Sequence, residues 1–148
     1  MIVGSNAPVA CSCGNDDCWE AFASERAALA RYNSLTACSG APDFGTVIDR
    51  ALDGEQEAKT ALTETARYLG TGISNLIVGF SPEAVIVGGA ITRAWPLIEK
   101  ALTEKIERSV RRGLPSARIL RSTLNGDPTL MGALSLVLAS KFAGAAAV

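Results

Sequence analysis

Apolar residues recur at a helical period through most of the first half of the chain. Residues 19–33 are predicted to be helical. Ser24 is predicted to be an internal N-cap that divides this stretch in two, because a serine hydroxyl can accept a hydrogen bond from an amide of the next turn. A further helix is predicted over residues 44–52, and Asp53 and Gly54 end it. The pattern therefore predicts a first half made mainly of helices.

The longest apolar stripe with helical spacing runs through residues 55–77. Gly70 and Gly72 lie within it, and each lowers helix propensity by about 1 kcal/mol relative to alanine. We therefore expect both glycines to allow close packing against another element. Asn75 is a polar residue on this apolar stretch, and we expect it to be a hydrogen-bonded core amide rather than a ligand.

The second half is predicted to alternate strand, helix, strand and helix. Residues 84–87 form a continuous apolar run, typical of a strand that is buried on both faces of a parallel sheet. A helix is predicted over 94–112, a second strand over 118–123 and a final helix over 130–142. The alanine-rich residues 143–148 are expected to fray.

Composition bounds the class of protein. The chain has 148 residues, 48% of them hydrophobic, which is enough for one globular domain with one core. Its net charge of −1 argues against a nucleic-acid-binding surface within this segment. No apolar run approaches the roughly 18–20 residues of a membrane span, and no signal peptide is predicted. Clustered cysteines without a secretory signal indicate reduced thiols or a metal in the cytoplasm.

Three of the four cysteines, Cys11, Cys13 and Cys18, fall within one short loop with the spacing C-x-C-x4-C. Turn-forming residues between them allow the loop to direct three thiolates at one metal ion, usually zinc. The alternative is a set of ordinary thiols or one disulfide. A closed structural zinc site takes four ligands, and the chain contains no histidine. Cys38 lies apart and is expected to be a buried apolar residue.

Two motifs resemble the ROK family of repressors, open reading frames and sugar kinases. The cysteine loop with Glu20 is similar to the family's zinc loop, and residues 81–91, which include Gly88 and Gly89, are similar to its adenosine-side motif. The resemblance covers nearly the whole chain but only the last part of the family's proteins. Counting back from Cys11, the family's zinc histidine would fall at or just before Met1.

The resemblance implies a helix-rich α/β fold that is a partial C-terminal lobe of an actin-like ATPase (ribonuclease H-like) fold. Residues 1–148 would form this single truncated lobe. Within it, 1–20 would be the zinc loop, 21–80 the helical part, 81–142 the strand–helix–strand–helix part and 143–148 the tail.

The resemblance also implies roles for individual residues. Glu20 would accept hydrogen bonds from sugar hydroxyls, the alternative being an acid at a helix N-terminus that the helix dipole favours. Gly88 and Gly89 would face a nucleotide, although most Gly-Gly turns after a strand are only tight turns. No residue of this chain matches the family's catalytic base, so no catalytic residue is assigned.

Three functions remain open from the sequence. The first is the part of a ROK transcriptional regulator that responds to a sugar or sugar phosphate, with DNA bound only through an N-terminal domain outside this segment. The second is part of a ROK sugar kinase that uses ATP and Mg²⁺ to phosphorylate a hexose. The third is a zinc-stabilised dimerisation module without catalysis. A homodimer is expected in each case.

Overall fold

The computed structural model describes residues 1–37, 43–110, 117–124 and 128–142. The predicted order of elements is confirmed over these residues. The elements are α1 (Trp19–Ala23), α2 (Glu25–Thr36), α3 (Phe44–Asp53), α4 (Gln56–Phe80), β1 (Ala84–Val87), a 3-10 turn (Ala90–Ala94), α5 (Trp95–Ser109), β2 (Arg118–Arg121) and α6 (Pro128–Phe142).

Ser24 divides the first helical stretch as predicted. Its backbone is extended, with ψ 165°, so α1 ends there and α2 begins at the next residue. The Ser24 hydroxyl accepts a hydrogen bond from the Ala27 amide at 3.3 Å, which supplies a partner for a free N–H at the helix start. The end of α3 is also as predicted, because Gly54 adopts a φ of 113° that few other residues tolerate.

Helix α4 is the centre of the molecule and packs against α1, α2, α3 and α5. The predicted role of its glycines is confirmed. A Cβ added at Gly70 would lie 2.9 Å from the carbonyl oxygen of Leu102 on α5, and one at Gly72 would overlap the indole of Trp19 on α1. Both glycines therefore allow neighbouring helices to approach closely.

The expectation that Asn75 is a core amide is wrong. Its side chain is exposed, not part of the core, and its amide Nδ2 contacts the Met1 sulfur at 3.2 Å. The buried stripe of α4 passes through Ser74 and Ile77 instead. A shift of one residue on a helix rotates a side chain by about 100 degrees, which is enough to move Asn75 off the packed face.

Strands β1 and β2 pair in parallel, and Ile86 lies opposite Leu120. Helix α5 connects the two strands, as a parallel pair requires. The expectation that β1 is buried on both faces is wrong for the part of the chain that the structure describes. Val87 is buried and Val85 packs against the core, but Ile86 is 69% exposed. Helices cover one face of this two-stranded sheet and leave the face of Ile86 open.

Helix α6 differs from the others in its exposure. The large apolar side chains that the structure describes between Leu130 and Leu138 are open to solvent, and Leu136 is 75% exposed. Among the described residues, no helix combines the length and apolarity needed to cross a bilayer. The helix predicted over 94–112 ends earlier than predicted, because α5 ends at Ser109 and Val110 is extended. The expectations for Cys38 and the tail 143–148 lie outside the described residues.

Candidate metal centre and the neighbouring cavity

The cysteine loop is held by backbone hydrogen bonds to the start of the chain. Ile2 forms an antiparallel bridge with Cys18, and the Trp19 amide donates to the carbonyl of Met1 at 2.8 Å. Gly14 turns the loop with a φ of 80°, and its amide donates to the Cys11 carbonyl at 3.2 Å. These contacts fold the loop back on itself, so that residues separated in sequence bring their side chains together.

The three predicted ligands lie together. The Cys13 sulfur is 3.2 Å from that of Cys11 and 3.3 Å from that of Cys18, and all three lie within 4.8 Å of one another. Two thiolates on one tetrahedral zinc ion at Zn–S bonds of about 2.3 Å would be roughly 3.8 Å apart. All three sulfurs are free thiols, so the structure contains no disulfide among these three cysteines. The donor set fits a zinc ion, with the two shorter sulfur separations about 0.5 Å below the tetrahedral value.

The thiols differ in their surroundings. A hydrogen bond from the Asn15 backbone, followed by the hydrogen bonds with Cys11 and Cys18, lowers the pKa of Cys13 to about 7. The hydrogen bond with Cys13, followed by burial, raises the pKa of Cys18 to about 11. Cys13 is exposed whereas Cys18 is buried.

Glu20 lies beside this cluster, in the first turn of α1. Its Oε2 is 3.9 Å from the Cys11 sulfur, and its Oε1 is 3.5 Å from the guanidinium of Arg26. Arg26 also donates to the carbonyl of Ala10 at 3.3 Å. The predicted sugar-contacting residue and the predicted metal ligands therefore meet at one place on the surface.

Gly88 and Gly89 lie in a different place. They line a cavity of about 480 Å³ whose other walls include Trp19, Ser24 and Ile73. Among the described residues that line it there is neither Glu20 nor a cysteine. Gly89 has a φ of 89°, and a Cβ there would meet nothing within 4 Å. The turn thus requires glycine for its backbone and has open space in front of it.

An ion pair with helix α3 stabilises the segment that follows this turn. Arg93 in the 3-10 turn bonds Asp49 on α3 at 2.5 Å. The Thr92 hydroxyl donates to the Gly89 carbonyl at 2.8 Å. The arrangement can present a backbone turn to a ligand, but the described residues do not bring it into contact with Glu20 in one cavity.

Sequence reasoning missed two residues of the candidate metal centre. Trp19 packs on Gly72 and so fixes α1 to α4. In the sequence, Gly72 indicated close packing at this position but not which residue packs there. Arg26 reaches Glu20 from another helix, across the break at Ser24. Helical spacing rules do not apply across such a break, so no pattern in the sequence indicated this pair.

Comparison with known proteins places the chain in a family. The model of the ROK family matches residues 1–140, and the chain belongs to the ROK family. It is 30% identical over 139 residues to the xylose repressor of Bacillus spizizenii, covering 93% of this chain and 35% of that protein. It is also 30% identical over 149 residues to the glucokinase of Streptomyces coelicolor, covering 85% of this chain and 45% of that protein.

Solved structures of ROK family proteins superpose on this chain. A ROK family glucokinase from Streptomyces griseus, in complex with glucose and AMPPNP, superposes with a TM-score of 0.76 at 26% identity, over 85% of this chain and 46% of that one. The predicted fold class is confirmed, since the chain is a helix-rich α/β part of the actin-like ATPase fold. The chain spans 35% of the length of that repressor and 45% of the length of that glucokinase.

Proposed function

We propose that this chain is the carbohydrate-responsive part of a ROK transcriptional regulator, with a structural zinc ion on Cys11, Cys13 and Cys18. The observation that carries the proposal is the Glu20 carboxylate 3.9 Å from the Cys11 sulfur, beside three clustered thiols. The likeness to a xylose repressor over 93% of the chain favours a regulator. The effector is then a sugar or a sugar phosphate.

The zinc ion acts by fixing the start of α1. Cys18 is the residue directly before this helix, so a metal bond to its sulfur limits the motion of Glu20 two residues later. A carboxylate has two acceptor oxygens and can take hydrogen bonds from two sugar hydroxyls. Holding that carboxylate in one position reduces the ordering cost of binding.

A sugar kinase is the second candidate, favoured by the TM-score of 0.76 with a glucokinase. In that case Gly88 and Gly89 would line the adenosine side of an ATP and Mg²⁺ site, which the positive φ and open space at Gly89 fit. The phosphate-binding and catalytic groups would belong to parts of the protein outside this chain. A zinc-stabilised dimerisation module that binds no sugar is the third candidate.

The exposed apolar side chains and the free thiols also support proposals for the partners and the cellular location of this protein. A homodimer through helical surface would cover exposed apolar side chains such as Phe80, which is 78% exposed, and those of α6. DNA would be bound only by a domain outside this chain. Three free thiols in one cluster fit the reducing cytoplasm.

Calorimetry on the complete protein tests the proposal. Xylose, glucose and N-acetylhexosamines are titrated into wild-type protein and into Glu20→Gln. The substitution should weaken binding of the recognised sugar by about 1.5–3 kcal/mol, the range for hydrogen bonds to charged groups. Zinc content is measured in both proteins, so that loss of metal is not mistaken for loss of a sugar contact.

Glu57→Gln is the matched control, because Glu57 is likewise an acid in the first turn of a helix. If both variants bind every sugar as the wild type does, Glu20 has only a helix-terminal role. The coding sequence upstream of Met1 separates the first two candidates. A DNA-binding helix-turn-helix supports the regulator, and an intact phosphate loop with a catalytic aspartate supports the kinase.

A further inference from the structure

The three thiols of the cysteine loop differ in their access to solvent. Cys13 is exposed, Cys11 is partly buried, and Cys18 is buried with 7% exposure. The Cys13 sulfur also contacts both of the others, at 3.2 Å from the Cys11 sulfur and 3.3 Å from the Cys18 sulfur. A small oxidant from solvent therefore reaches Cys13 first, and a second sulfur lies directly beside it.

Cys18 is a better disulfide partner for Cys13 than Cys11 is. Residues 14–17 separate Cys13 from Cys18, and they turn at Gly14, which has a φ of 80°. A turn of this length allows the two sulfurs to approach from 3.3 Å to the roughly 2 Å of a disulfide bond. Only Ser12 lies between Cys11 and Cys13, which leaves little freedom for the torsion angle that a disulfide requires.

The backbone next to Cys18 is held by contacts that involve no metal. Cys18 forms a bridge with Ile2, and the Trp19 amide donates to the carbonyl of Met1 at 2.8 Å. The Trp19 ring nitrogen donates to the carbonyl of Tyr68 on the central helix α4 at 2.9 Å. A rearrangement of the loop should therefore leave α1 attached to the core.

Glu20, in contrast, is linked to the part of the loop that carries Cys11. Its Oε2 lies 3.9 Å from the Cys11 sulfur, and its Oε1 contacts Arg26 at 3.5 Å. The same guanidinium donates to the carbonyl of Ala10, the residue before Cys11. A movement of Cys11 should therefore reach the carboxylate that is proposed to bind sugar, without unfolding the helices.

We propose that Cys13 is a site of reversible oxidation, at which a peroxide forms a Cys13–Cys18 disulfide, releases the zinc ion and weakens sugar binding. The inference rests on the proposed function, both for its zinc site and for its sugar contact. A disulfide offers no thiolate to the metal, so two of the three sulfur ligands are lost together. A dithiol reductant restores both thiols and allows zinc to bind again.

The reaction has two steps. The Cys13 thiolate attacks one peroxide oxygen, so that an S–O bond forms, the O–O bond breaks and hydroxide leaves, which gives a sulfenic acid. The Cys18 thiolate then attacks the Cys13 sulfur, so that the S–S bond forms, the S–O bond breaks and a second hydroxide leaves. Solvent protonates both hydroxides to water. The two thiolates thus lose two electrons, and the peroxide gains them.

Hydrogen peroxide added to the complete, zinc-loaded protein tests the proposal. A chromophoric chelator should detect released zinc, and peptide mapping by mass spectrometry should find Cys13 joined to Cys18 with the loss of two hydrogens. Dithiothreitol with added zinc should reverse both changes, and circular dichroism should show that the helices are retained. By calorimetry with xylose, glucose and N-acetylhexosamines, the oxidised protein should bind the recognised sugar about two- to tenfold more weakly, as the ordering cost of one side chain implies.

Asn15→Ala is the variant that keeps all three sulfurs. The Asn15 Nδ2 donates to the Cys13 sulfur at 3.6 Å, and a hydrogen bond of this kind withdraws electron density from a metal-bound thiolate. The variant should retain zinc and release it several-fold faster under peroxide. Asp16→Ala, at the next position, is the matched control and should release zinc at the wild-type rate. Cys38→Ser should also behave as the wild type, since Cys38 lies outside the loop.

Two results at the cysteine loop would overturn the inference. One is zinc that stays bound under peroxide, and the other is a product that contains Cys13 as a sulfinic or sulfonic acid instead of a disulfide with Cys18. Unchanged sugar affinity of the disulfide form would contradict the link to Glu20. A reduced, zinc-loaded protein that binds none of the sugars would refute the proposed function and this link, whereas zinc release and disulfide formation are judged by their own measurements.

Discussion

The indole of Trp19 lies directly in front of Gly72, where a Cβ on the glycine would come within 1.9 Å of ring atom Cε2. The Trp19 ring nitrogen also donates to the carbonyl of Tyr68 on α4 at 2.9 Å. Phe22, one turn further along α1, stacks on the Tyr68 ring with centroids 4.5 Å apart. The helix that begins directly after Cys18 is thus fixed to the central helix, and Gly72 is the residue that makes room for it.

Substitution of Gly72 by alanine should destabilise the protein. The added methyl group overlaps the indole, and overpacking of this kind typically costs about 1–3 kcal/mol. The displaced indole should also disturb α1 and weaken zinc binding, because Trp19 follows Cys18. Urea unfolding measures the first effect, and competition with a zinc chelator measures the second.

Gly79→Ala provides the control for this prediction. Gly79 lies on the same helix, and a Cβ there would meet nothing within 4 Å. Alanine should therefore be neutral or stabilising there by up to about 1 kcal/mol, the difference in helix propensity. Equal effects of the two substitutions would show that Trp19 does not pack on Gly72.

Protein purified without added zinc should contain about one zinc ion per chain, because the chain has one cluster of three cysteines among its described residues. Cys13→Ser should lose this metal and unfold more easily, because zinc binding and folding are coupled. Ser12→Ala, in the same loop, should keep both metal and stability. Metal analysis by mass spectrometry and thermal unfolding with and without chelator are the measurements. A folded protein without metal, whose thiols all react freely, would refute the zinc site.

The sequence predicts local features of this fold well, because these depend on neighbouring residues. The break at Ser24, the end of α3 at Gly54 and the thiol cluster all follow from a short stretch of sequence and its local chemistry. The exposure of Ile86 was not predictable, because it depends on which elements cover the second face of the sheet.

The pair of Glu20 and Arg26 was not predictable either, because it joins two helices across an extended residue. Its geometry depends on the angle between α1 and α2, which the pattern of apolar residues does not specify. The fold and the clustering of the three cysteines could therefore be predicted, whereas the neighbours of that cluster required the structure.

The stability of α3 should depend on pH through Asp43. The Thr46 hydroxyl donates to one oxygen of Asp43 and the Thr46 amide to the other, at 2.8 and 3.0 Å, and these bonds hold the pKa of Asp43 below its usual value. The ionised cap is therefore stabilising above about pH 4, the ordinary range of aspartate. Its contribution is lost as the pH falls through the lowered pKa of the folded state.

Asp43→Asn keeps an N-cap side chain but removes this titration. The thermal midpoint of this variant should therefore fall less than that of the wild type between about pH 6 and about pH 3, a range that spans the titration of aspartate. Asp53→Asn, at the other end of α3, retains the Asp43 cap and should keep the wild-type decline. Parallel declines for wild type and Asp43→Asn would contradict the assigned cause.

This 148-residue chain by itself should not phosphorylate any sugar. Phosphoryl transfer needs cradled phosphates, a bridging metal ion and a base oriented on the acceptor hydroxyl, all aligned within one closed site. The described residues supply a turn at Gly88 and Gly89 and a carboxylate at Glu20, and these do not line a common cavity. ADP release is measured with a panel of hexoses and N-acetylhexosamines. Binding without aligned reactants gives no turnover. If ADP release depends on added sugar and exceeds that of a Glu20→Ala control, the chain contains a complete active site and the prediction is wrong.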